Sequence, residues 1–211
     1  MLSVTSPFLK VFQCDMSEEY HKFCTERQGT RDFLLSGFPV FTMPEELLER
    51  IFIRSGIAEP LKGYVRSLYN RLRDSFRKLL RQSPVNIILC MTDEELHSGR
   101  MINFGLDMLD ISIEYTHDEY AEHIAAIMEL VKNERNFHLT ILNASPLRNI
   151  QISVLKDAVS VLRCQDPCAA FVFSNTTLCN SMSGYLSMLI ESHATDRHTT
   201  LEMLENSVKK Y

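Results

Sequence analysis

The sequence predicts an α/β (mixed α+β) fold: one mixed sheet covered by helices, with an N-terminal helical lobe. Three observations carry that reading. Residues 59–82 repeat their apolar side chains at helical spacing, four short apolar or alternating runs succeed one another between 137 and 175, and no run stays apolar for the roughly 18 residues of a membrane span. With 211 residues, 45% hydrophobic and 23% charged, the chain is long enough to enclose a core without help from disulfides.

Taken in order, residues 16–28 (MSEEYHKFCTERQ) read as a helix. Residues 32–42 (DFLLSGFPVFT) read as an aromatic extended segment that Pro39 confines to an edge or a loop. A helix over 43–55 is entered through Pro44, whose fixed φ suits a first turn, and is stopped by Gly56. In 59–82, Leu61, Val65, Leu68, Leu72, Phe76 and Leu79 recur at intervals of three and four and share one helix face. VNIILCM, after Ser83 and Pro84, has the β-branched apolar character of a buried strand, and Thr92 or Asp93 can cap a short helix behind it. Residues 106–113 alternate as a second strand, and Tyr120, Ile124, Ile127, Met128 and Val131 place a helix over 116–134. Strands follow at 137–143, 149–155, 158–164 and 169–175, then helices at about 176–191 and 196–209.

This order suggests an N-terminal helical extension over 1–35 and one mixed αβ domain over 36–211. The helical part of that domain covers 43–83, its sheet part 84–193 and its terminal helix 195–210. The net charge of −5 argues against a surface built for nucleic acid as a whole. No secretory leader is visible, and the six cysteines read as reduced thiols of a cytoplasmic protein. No pair of glycines has the spacing of a Walker loop or a dinucleotide fingerprint, and Gly-x-Ser-x-Gly and His-Glu-x-x-His are absent. No cofactor, metal site or catalytic set is expected.

Three constellations remain. The helix at 59–82 carries Lys62, Arg66, Arg73 and Arg77, with Arg81, along one edge, a row suited to phosphate or nucleic-acid contact or to a solvated, acid-paired face. Residues 47–72 imitate a helix-turn-helix with Ser55 and Gly56 at the turn, although the second helix runs on beyond what a recognition helix needs. Cys90 ends a strand just before a helix N-terminus, a position that lowers a thiol pKa, and offers a nucleophile or simply a buried apolar side chain. Polar residues past strand ends, Asn143, Ser145, Arg148, Ser174 and Asn175, form the expected rim of a ligand pocket, with Arg148 as its anion grip, or else serve as caps and turn formers.

The segments SGFPVFTMPEELLERI, FHLTILNASPLRNIQISVLKDAVSVL and AAFVFSNTTLCNSMSGYLSMLIES, with the basic helix between the first two, resemble the C-terminal sensory domains of Firmicutes helix-turn-helix transcription regulators. The last part is similar to a phospholipase-D-like half, but the His-x-Lys and following Asp of the enzymes are missing, so the resemblance implies a non-catalytic relative. It implies an effector-binding and dimerisation domain. The partners would be a small-molecule effector and a second copy, with DNA reached only through a separate or missing helix-turn-helix part and no membrane. Leu201, Leu204 and Val208 of the terminal helix offer part of a dimer surface or, in the use favoured here, pack on their own domain. A small enzyme using Cys90, or a protein-interaction domain without a ligand, is the alternative.

Overall fold

The computed structural model describes residues 5–6, 9–13, 31–98, 115–144, 150–155, 157–163 and 169–209. The strands are β1 (Thr5–Ser6), β2 (Leu9–Gln13), β3 (Arg31–Leu35), β4 (Val85–Cys90), β5 (Phe137–Leu142), β6 (Ile150–Leu155), β7 (Ala158–Arg163) and β8 (Ala169–Phe173). The helices are α1 (Glu45–Ser55), α2 (Glu59–Gln82), α3 (Asp93–His97), α4 (His117–Asn133), α5 (Thr176–His193) and α6 (Arg197–Lys209). A 3-10 turn, Val40–Thr42, leads into α1.

All eight strands join one sheet in the order β1-β2-β8-β7-β6-β3-β4-β5. β3, β4 and β5 run parallel, and β6 turns the direction on the other flank of β3, after which every pair is antiparallel. The parallel trio needs crossover connections, and the segments with α1 and α2, then α3 and α4, supply them.

Alternation along the strands divides the core in two. Phe33, Leu35, Ile87, Leu89, Phe137 and Leu139 point to the face covered by α1, α2, α4 and α6. Leu34, Ile88, Cys90, Leu142, Ile152 and Val154 point to the opposite face, under α5.

Local chemistry places the helix ends. Glu45 and Glu46 open α1, Arg54 closes it, and Gly56 at φ +66° takes the left-handed conformation that stops it. Thr92 with Glu95 and Thr116 with Glu119 form reciprocal capping boxes at α3 and α4. In α2, Val65, Leu68, Phe76 and Leu79 are buried as the spacing predicts, joined by Tyr69 and Leu80, whereas Leu72 is only half-buried.

Three expectations need correction. The described part of 1–35 is not helical: β1, β2 and β3 lie there and belong to the common sheet. The run DFLL is central rather than at an edge: β3 is flanked by β4 and β6, its apolar residues fill both faces, and Pro39 lies beyond its end. The helices of 43–83 form no lobe of their own but share one continuous apolar cluster with α4, α6 and the sheet. The helix expected at 16–28 and the strand at 106–113 lie outside the described residues.

Candidate functional site

Charge dictates how α1 is seated. On its α2 side, Glu49 accepts from Nε and Nη2 of Arg66 at 2.6 and 2.7 Å, and Glu45 accepts from Nη1 of Arg73 at 2.5 Å. On its α4 side, Arg54 grips Glu119 at 2.6 and 3.1 Å, and Arg50 pairs with Glu122. Two ion-pair seams therefore run along one short helix. Arg66 holds the Glu49 carboxyl below the usual carboxylate range, first through the hydrogen bonds and then through its charge.

The seams use up most of the basic edge of α2. Lys62 bonds to Glu59 at 3.0 Å, Arg66 to Glu49 and Arg73 to Glu45. Arg73 also lies 5.0 Å from the centre of the Tyr69 ring. Expected as contacts for phosphate or nucleic acid, Arg66 and Arg73 are instead structural, because α1 packs its acids against them, and Lys62 is paired within α2 itself. The same packing removes the helix-turn-helix reading: Lys62 and Arg66 are turned to Glu59 and Glu49.

Arg77 and Arg81 differ. Both are exposed, with no acid partner among the described residues, and line a groove of about 610 Å³ between the 3-10 turn, the start of α1, α2 and α4. Arg73, Arg77 and Arg81 are spaced by four and so stand in one row along it. Phe41 supplies an apolar wall, with its ring 4.5 Å from that of Phe76, and Ala126 and Leu130 of α4 face it. Glu45, Glu46 and Glu134 also line the groove. With Arg73 and Glu45 satisfying each other, two arginines remain as charge-bearing donors.

The expected pocket rim does not assemble. Asn143 follows β5 and accepts from the Asp93 amide at 3.2 Å, at the carboxyl end of the parallel strands. Ser174 and Asn175 follow β8, whose antiparallel course carries them to the opposite end of the sheet. Asn175 caps α5 there by accepting from the Leu178 amide at 3.0 Å, so the turn-forming role is the one observed. Ser145 and Arg148 lie outside the described residues.

Cys90 is buried at 2% exposure in the apolar layer under α5. Burial pushes its thiol up to about 11, so the adjoining helix N-terminus does not activate it. The terminal helix is likewise committed: Leu204 is fully buried, and Leu201 and Val208 pack on the same core, mostly against α4. Those residues therefore pack on their own domain, the favoured one of the two uses expected of them.

Sequence reasoning missed His123. Its ring is fully enclosed in α4, with Nε2 3.0 Å from Thr42 Oγ1. That hydroxyl already donates its proton to the Pro39 carbonyl at 2.7 Å, so it accepts from His123, and the proton of the neutral ring sits on Nε2. Nδ1 is left bare and without a partner. No group of three metal-ligating side chains occurs among the described residues, and no helix there is long and apolar enough to cross a membrane.

The sequence matches no protein family and no curated protein. Among solved structures, the chain is similar to NucT from Helicobacter pylori at 9% identity, over 88% of this chain and 96% of that one, with a TM-score of 0.44. NucT is a phospholipase-D-like nuclease. That neighbour is a nuclease and runs against the expectation of a non-catalytic sensory domain and of no enzyme, and neither expectation is carried further.

Proposed function

We propose that this chain binds a small phosphate-bearing ligand in the groove between α2 and α4, with Arg77 and Arg81 holding the phosphate. One observation carries the reading: these two guanidinium groups line a groove of about 610 Å³ with no acid partner among the described residues, while the other cations of that edge are paired. The volume lies within the roughly 300–1,000 Å³ range of small-molecule sites. Phe41 and Leu130 give the body of the ligand apolar surface. The lining arginines and glutamates balance in number, which favours one discrete anion over a polyanion track, since a track needs a net positive surface.

Calorimetric titration with adenosine monophosphate tests this, with a single-stranded oligonucleotide and inorganic phosphate as further arms. The mononucleotide binds the wild type, and the double substitution Arg77→Gln, Arg81→Gln weakens it about tenfold or more, the loss expected when charge-assisted hydrogen bonds disappear. Equal binding by the double variant, or no binding of any phosphate compound by the wild type, refutes the site. Tight binding confined to the oligonucleotide refutes the discrete-ligand reading.

A further inference from the structure

β5 is an outer strand of the sheet, and the chain wraps around it as α5 gives way to α6. Register aligns Asp32, Asn86 and His138 in one row across β3, β4 and β5. The Asn86 amide donates to Asp32 Oδ1 at 2.6 Å. Beside that row, between β5 and the α5–α6 junction, lies a cavity of about 190 Å³ whose lining includes Asn86, His138, Thr140 and Arg197 but not Asp32.

Several donors face this cavity unused. Thr140 is 94% buried (6% exposed), yet its hydroxyl has no hydrogen-bond partner among the described residues. The His138 ring also has none, and burial followed by the charge of Arg197 lowers its pKa, keeping it neutral. Arg197 uses Nη2 on the carbonyls of Glu134 and Arg135, both at 3.1 Å, and its other nitrogens remain open. Val85 donates to the Asn136 carbonyl and Met91 to that of Leu142, so in this parallel ladder Leu139 turns its amide outward along the same edge. No carboxylate lines the cavity, whereas Phe137, Leu139 and Ile190 give it an apolar wall.

Donors without acceptors beside an apolar wall call for an anion with a short hydrocarbon tail. We infer that this cavity is a second binding site, independent of the groove, and that it takes a short-chain carboxylate held by Arg197, His138 and the Thr140 hydroxyl. Its volume is below that of drug-sized sites, which limits the tail to a few carbons.

Butyrate is the probe, followed through the His138 Cε1 proton resonance of the intact protein, with inorganic phosphate as the comparison arm. An anion beside the ring favours its protonated form, so saturating butyrate shifts the His138 titration to higher pH. Thr140→Val keeps the side-chain shape and removes the hydroxyl, and it weakens butyrate about tenfold while leaving the mononucleotide titration of the groove unchanged. Three outcomes overturn the inference: a His138 resonance indifferent to butyrate, phosphate binding as well as butyrate, or Thr140→Val binding butyrate like the wild type. Because the groove is read by a different ligand and different variants, failure here leaves that reading standing, and the reverse holds.

Discussion

Acid should destabilise this protein through His123, well above the pH at which carboxylates protonate. The folded ring is enclosed, with Nδ1 bare in the presence of Phe38 and Tyr115, and burial lowers its pKa to about 3. In the unfolded chain the same ring titrates near 6.5. Above that pH neither state binds the proton and the group is silent. As pH falls below 6.5 only the unfolded state takes the proton, and stability is lost progressively until about pH 3. Between pH 7 and 5 the loss from this one ring is about 2 kcal/mol, since each unit below the unfolded pKa is worth about 1.4 kcal/mol. Urea unfolding at pH 7, 6 and 5 measures it, with His123→Leu as the comparison. The substitution lowers stability at pH 7 through the lost bond to Thr42, but it removes the titrating ring. The wild type should then lose about 2 kcal/mol more than the variant between pH 7 and 5. Parallel pH profiles, or a His123 resonance titrating near 6.5 in the native protein, would refute the reasoning.

Further expectations concern the core, the seams and the thiol. Leu48→Ala, at a fully enclosed position in α1, should cost about 2–5 kcal/mol by denaturant unfolding. Tyr69→Phe removes a buried donor that reaches the Met43 carbonyl at 2.6 Å and should cost about 1–3 kcal/mol, an acceptor being left without its proton. Removing the seam pair Glu49 and Arg66 together should change stability by no more than about 1 kcal/mol, since both side chains are partly exposed and salt screens them. Iodoacetamide at neutral pH should modify Cys90 far more slowly than a free thiol, as read by peptide mass spectrometry, and rapid labelling of the native protein would contradict its burial.

Elements with a strong local signature were legible in the sequence. The span of α2 follows from its apolar repeat, β4 from a β-branched apolar run, and β5 to β8 from short apolar runs separated by turns. The position of β3 was not legible: a short run such as Phe33-Leu34-Leu35 reads alike at an edge and in the centre, and only β6, far along the chain, decides between them. The candidate site was half legible. Spacing put Arg73, Arg77 and Arg81 on one edge, but which of them retained an open charge depended on Glu45 and Glu49, and so on how α1 lies against α2. Thr140 gave no signal at all, being one more β-branched residue in a strand. His123 was equally silent, because its isolation comes from rings and a hydroxyl contributed by distant segments.

The place of β2 beside β8 has a consequence for solubility. β8 is Ala-Ala-Phe-Val-Phe, without charge, proline or bulge to discourage pairing, and β2 occupies the flank that β7 leaves open. Stripped of that cover, the flank would offer a row of unpaired amides and carbonyls on an apolar ribbon, the kind of template on which chains stack into aggregates. The segment Leu9–Gln13 thus acts as a guard strand. A version shortened past Gln13 would face self-association before it faced unfolding, and any shortened form is better designed to keep this strand.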